Sequence, residues 1–127
     1  MESLAKQFNH DFDKGDFELF DKNINQIYFE NPNGFWVKRN YNKLGNEIYY
    51  ENSYDYWIKR EYNKSGNILY SKSSTGFWVK IEYDENNIMI YYESSKSIIF
   101  DNRPKEIITI NGKRYQEIWK KSLTTNI

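Results

Sequence analysis

No cysteine occurs in this chain, and there are only one histidine, two prolines, one alanine and five leucines. Without cysteine neither a disulfide scaffold nor a zinc finger can be built. So little Ala and Leu excludes a helical bundle, which draws on the best helix formers. An excess of one charge is missing too, because 18 Lys and Arg face 18 Asp and Glu. That balance argues against a dedicated nucleic-acid or membrane-surface binder. The opening MESLAKQFNHDFDK carries no signal-peptide core and no run long enough to cross a bilayer. The expectation is a cytoplasmic protein. What abounds is aromatic and β-branched: 12 Tyr, 8 Phe, 4 Trp and 15 Ile, with 16 Asn, in 127 residues. These are strand formers and turn formers, in a length that suits one domain.

The dominant pattern is a repeat. Trp36, Trp57 and Trp78 are 21 residues apart, as are Lys38, Lys59 and Lys80, and Tyr41, Tyr62 and Tyr83. The units run 35–55, 56–76 and 77–97; the first two share 10 of 21 positions without a gap. A half unit, 20–34, precedes them, and the match fades after Ser97. Each unit reads as a β-hairpin. A strand such as FWVKRNY is followed by a turn with Gly45, Gly66 or Asn87 where positive φ is required, then by a strand such as EIYYE. Asn111-Gly112 marks a further tight hairpin between Ile107–Ile110 and Lys113–Trp119. Leu4, Phe8 and Phe12, spaced by four, predict a short N-terminal helix with one apolar face. Phe17–Phe20 begins the first strand.

Strand residues alternate between faces. Phe35, Val37, Tyr41, Tyr56, Ile58, Tyr62, Phe77, Val79, Ile81 and Tyr83 share one face, expected to be the core, with the N-terminal helix covering part of it. Trp36, Lys38, Trp57, Lys59, Trp78 and Lys80 take the other. A four-residue loop would put Ile48 and Tyr50 with Val37, and Tyr49 and Glu51 with Trp36. A three-residue loop with a Gly bulge would swap the two sets. The first register segregates polar from apolar residues better and is preferred. The Trp face has two readings. It can be a structural ladder, with Lys stems and Glu packed over aromatic rings. It can also be a binding face, since Trp and Tyr dominate interaction hot spots.

Catalytic chemistry is not expected. His10 with Asp11, Asp13 and Asp16 reads as a solvated helix end rather than a metal site. Glu51, Glu61, Glu82 and Glu93 recur periodically, as scaffold charge does, rather than as one catalytic pair. No cofactor is implied. Single-strand nucleic-acid binding is disfavoured because Lys38-Arg39 and Lys59-Arg60 alternate faces. Glycan binding through the Trp and Tyr platforms remains an alternative, as does homodimerisation through the Trp face.

The unit carried by Trp36, Lys38, Tyr41, Asn42, Gly45, Asn46 and Tyr49 and their 21-residue equivalents resembles tyrosine-rich β-hairpin repeats of bacterial and phage proteins. It is distantly similar to YD and MORN-like repeats, though it lacks the regular glycines of MORN. The resemblance covers about 20–97 and implies a hairpin architecture and a protein-binding habit, with no catalytic residue. It further implies a phage or mobile-element context, in which many small proteins inhibit a host enzyme or defence system, anti-CRISPR proteins among them. The sequence thus predicts an all-β antiparallel meander of about eight to ten strands with a short N-terminal helix. Its parts are a helix and lead-in (1–19), hairpin repeats (20–97) and a C-terminal hairpin cap (98–127). The expected function is non-catalytic binding of a host protein. The contact residues would be Trp36, Trp57 and Trp78, Lys38, Lys59 and Lys80, and Tyr49, Tyr70 and Tyr91.

Overall fold

The computed structural model describes residues 3–110 and 113–119, with side chains over 3–104. It is all-β apart from one helical turn, α1 (Leu4–Gln7), and a 3-10 turn at Phe12–Lys14. Nine strands follow: β1 (Phe17–Phe20), β2 (Gln26–Glu30), β3 (Trp36–Tyr41), β4 (Glu47–Asn52), β5 (Trp57–Tyr62), β6 (Ile68–Ser73), β7 (Trp78–Tyr83), β8 (Met89–Ser94) and β9 (Ile98–Asp101). They form one antiparallel sheet in strict chain order. The sheet gains β9 beyond residue 97, where the sequence match has already faded. β10 (Lys105–Ile110) and β11 (Lys113–Trp119) pair as a separate hairpin. The expected Asn111-Gly112 turn lies outside the described residues.

One turn chemistry recurs at both ends of the meander. At Asp21, Asn31, Asn42, Asn63 and Asp84 the side chain opens the turn and accepts the N–H groups two and four residues on, while Asn52 and Ser73 accept only the N–H two residues on. Asn42 bonds Leu44 and Asn46 in this way, and Asn63 bonds Ser65 and Asn67. The residue three places on has positive φ: Ile24, Gly34, Gly45, Asp55, Gly66, Gly76 and Asn87. Glycine suits this place because a Cβ there crowds the next carbonyl. Asn42 N–H also donates to Asn46 O at 2.9 Å, which closes a three-residue loop.

That loop is the type expected to swap the faces, yet the preferred register is the one observed. Asn40 lies opposite Tyr49 and Tyr41 opposite Glu47, so Ile48 is an extra, bulged residue. The bulge restores the alternation and returns Tyr49 and Glu51 to the face of Trp36. The same device recurs at Ile27, Leu69 and Ile90. It also carries Glu47 to the opposite face, where it meets Arg39 at 2.9 Å and Arg60 at 3.1 Å. Adjacent hairpins are tied by a periodic bond from a tyrosine hydroxyl to a carbonyl. Tyr41 donates to Gln26 O, Tyr62 to Glu47 O and Tyr83 to Ile68 O, at 2.9, 2.6 and 2.9 Å.

The expected core is corrected. Among the described residues only Val37 and Ile81 are buried apolar residues on the Val37 face, and Arg39 and Arg60 share that face with Glu47. The N-terminal helix does not cover it. Ala5, fully buried, clusters with Phe17 and Tyr28, flanked by Leu4, Phe12, Leu19 and Trp36. Phe17 opposes Glu30, Leu19 opposes Tyr28, and Glu30 opposes Trp36, so the helix lies on the Trp face. Polar pairing explains the choice. Glu30 is buried and accepts the Tyr28 hydroxyl at 2.8 Å and the Ala5 N–H at 3.3 Å, whereas the Glu47 carboxylate on the Val37 face is taken by Arg39 and Arg60. The helix is also shorter than its Leu4-Phe8-Phe12 spacing predicts. Asn9, at φ 54°, ends it, and Phe8 is exposed although its ring edge meets Phe17 at 5.5 Å.

Candidate binding face

All nine residues expected to form a contact surface project from one face of the sheet, because each opposes another member of that face across a strand pair. Reading across the strands, the register places them in rows. Tyr28, Lys38, Glu51 and Trp57 form one row. Tyr49, Lys59, Lys72 and Trp78 form the next. Tyr70, Lys80 and Glu93 begin a third, which ends at Ile98 of β9. The 21-residue repeat along the chain thus becomes a Tyr–Lys–Glu–Trp pattern across the sheet, stepped diagonally by one row per hairpin, with Lys72 replacing Glu in the second row and Ile98 replacing Trp in the third.

Local bonds hold this array. Each Trp backbone is clamped by a serine 17 residues on, which returns its own N–H to the Trp carbonyl: Trp36 by Ser53, Trp57 by Ser74 and Trp78 by Ser95. Lys38 lies 5.0 Å from the Trp36 ring and Lys59 5.2 Å from the Trp57 ring, within cation–π reach. Along the second strand of the hairpin, tyrosine donates to the glutamate two residues on. The distances are 3.1 Å for Tyr49–Glu51 and 2.7 Å for Tyr91–Glu93. Burial, then the bond to Glu51, raises the Tyr49 hydroxyl above its ordinary pKa. Burial and Glu93 push Tyr91 up to about 12.

The two ends of the array are closed. Trp36 stacks on Tyr28 with 17° between ring planes and packs against the helix cluster. Tyr91 is buried beneath Arg103, whose guanidinium lies 3.9 Å from the ring centre. Arg103 is held there by Asp101 at 3.0 Å and Glu82 at 3.6 Å. Trp36 and Tyr91 therefore act as packing residues at the margins. The centre differs: Trp57, Trp78, Tyr49 and Tyr70 are half-buried, and Lys38, Lys59 and Lys80 are exposed. An open depression of about 600 Å³ adjoins Tyr70 and Lys80, between Glu61 and Glu82.

Lys72 is the residue that sequence reasoning missed. Its signal was present in the alignment of units, where position 72 corresponds to Glu51 and Glu93. Arg103 had no such signal, since it lies beyond the repeat. Of the N-terminal acidic group, His10 donates from Nε2 to Gly15 O, and Asp11 caps the 3-10 turn through Asp13 N–H. Among the described residues no three His, Asp or Glu groups are placed to hold a metal ion, and no helix is long and apolar enough to cross a membrane. A scan of protein-family models finds no match to the chain, and neither does a search of curated proteins.

Proposed function

We propose that this chain is a non-catalytic protein-binding module that acts through the open centre of the Trp face, as an inhibitor of a host protein in a phage or mobile-element setting. One observation carries the reading. Trp57, Trp78, Tyr49 and Tyr70 stand half-exposed in a fixed array, interleaved with exposed lysines. Trp57 and Trp78 are two strands and one row apart, about 12 Å at the usual strand spacing and rise. Rigid aromatic platforms with few torsions lose little entropy on contact, so they make efficient binding anchors. Backbone clamps and cross-strand rows fix these platforms before any partner arrives.

The test is a pull-down from nuclease-treated bacterial lysate, comparing wild type with a folded Trp57→Ala/Trp78→Ala variant. The expected result is one protein enriched in near-stoichiometric amount by the wild type and lost with the variant. Equal recovery by both would refute the assignment of this face.

A further inference from the structure

Row by row, each of the repeat lysines Lys38, Lys59 and Lys80 sits between a tyrosine and an acid, with one exception. Lys38 has Glu51 across from it, and Lys80 has Glu93. Lys59 has Lys72. Side chains so opposed have Cβ atoms about 5 Å apart, and like charges in that position destabilise the sheet. Lys72 also deprives Tyr70 of the carboxylate that Tyr49 and Tyr91 use. Among the described residues none of Lys38, Lys59, Lys72 and Lys80 forms a direct ion pair, so what sets Lys59 and Lys72 apart is that the group across the strand pair is a like charge rather than an acid. The repeat offers glutamate here, and the fold would gain from it.

We infer that Lys59, Lys72 and Lys80, framed by Trp57, Trp78 and Tyr70, form the seat for an acidic segment of the partner protein, a short run rich in Asp and Glu. This rests on the protein-binding reading and names the chemistry of its partner. Charge complementarity selects the occupant. The three lysines sit on adjacent strands β5, β6 and β7, with Lys59 directly across from Lys72 and Lys80 one row further along, and Glu51, Glu61, Glu82 and Glu93 surround them. A continuous phosphate backbone would run off this spot onto carboxylates, whereas two or three clustered side-chain carboxylates fit within it. The flanking Trp rings lower the local polarity and strengthen each lysine–carboxylate pair.

The test uses the full chain with a fluorescein-labelled deca-glutamate peptide, read by anisotropy at two salt concentrations. A deca-glutamine peptide and a thymidine decanucleotide are the comparisons. Lys72→Glu is the informative variant, because it restores the repeat and should melt above wild type. The expected result is salt-sensitive peptide binding weakened at least tenfold by Lys72→Glu, with no deca-glutamine binding. Unchanged peptide affinity in Lys72→Glu overturns the inference. So does tighter binding of the decanucleotide, or a homodimer that Lys72→Glu dissociates, since each assigns the spot to another occupant. In the lysate experiment, a partner lost with the double Trp variant but kept by Lys72→Glu overturns the acidic seat and leaves the binding module standing. A partner kept by both overturns both.

Discussion

Ile24 occupies a conformation that β-branched residues avoid, and relieving it should stabilise the protein. Its φ is 65°, and its side chain is 82% exposed. In the left-handed region a Cβ crowds the following carbonyl at a cost of roughly 1–2 kcal/mol. Exposure means that almost no apolar burial offsets that cost. The equivalent places in later hairpins hold Gly45, Gly66 and Asn87, all at positive φ. The turn itself does not depend on the residue 24 side chain. Asp21 holds it by accepting the Asn23 and Asn25 N–H groups at 2.8 and 3.0 Å. Ile24→Asn should therefore raise stability by about 1 kcal/mol, because Asn tolerates this region. Ile24→Gly should gain less, since the freer unfolded chain takes back about 0.5–1 kcal/mol. At about 2.1 cal/mol/K of unfolding entropy per residue, 1 kcal/mol moves the melting temperature by roughly 4 °C. Gly45→Ala is the reciprocal test. A Cβ there meets nothing within 4 Å at φ 87°, so backbone strain of about 1–2 kcal/mol, less the roughly 0.5–1 kcal/mol returned by the stiffer unfolded chain, leaves a net cost of about 0.5–1 kcal/mol. Urea unfolding followed by tryptophan fluorescence reads all three. A neutral or destabilising Ile24→Asn, or a neutral Gly45→Ala, would refute the strain argument.

Tyr28→Phe should cost about 1–3 kcal/mol in urea unfolding, because it leaves the buried Glu30 carboxylate with only the Ala5 N–H at 3.3 Å; a loss below the fit error would show that Glu30 reaches solvent. Stability should fall in alkali. Tyr91 is held at about 12 in the fold by burial and then by Glu93, against an ordinary 10. The folded state thus keeps a proton that the unfolded state has lost, and this contribution is complete below pH 10 and gone as pH rises through 12. Unfolding midpoints measured across that window should decline less steeply in Tyr91→Phe than in wild type, and parallel curves would contradict it.

The fold was largely legible because it is periodic. A 21-residue spacing of Trp, Lys and Tyr without gaps left little besides stacked hairpins, and the Asx and Gly places marked the turns. The register was reached for an incomplete reason. The loop is the three-residue kind, and Ile48 and its equivalents reverse its effect. An apolar residue between Glu47 and Tyr49 reads the same whether it is bulged or paired, so only the three-dimensional register separates the two. The helix position is not legible in the sequence for a related cause. The apolar stripe of Val37, Ile58 and Val79 looked like a core, but Glu30 and Tyr28 supplied the polar anchor that Ala5 needed.

Periodicity also separates what the scaffold requires from what it does not. A residue that recurs every 21 positions, such as Tyr41, Tyr62 and Tyr83 on successive carbonyls, is explained by stacking one hairpin on the next. A departure that improves local packing is explained as well: Glu47 breaks the apolar pattern of its position and gains Arg39 and Arg60. Lys72 fits neither account. It departs from the repeat, removes a hydroxyl–carboxylate bond and sets two cations side by side at the middle of the sheet. A fold selected for stability alone would place glutamate there, so the cost borne at Lys72 supports the proposed contact surface more sharply than the tryptophans do, since they also serve the ladder.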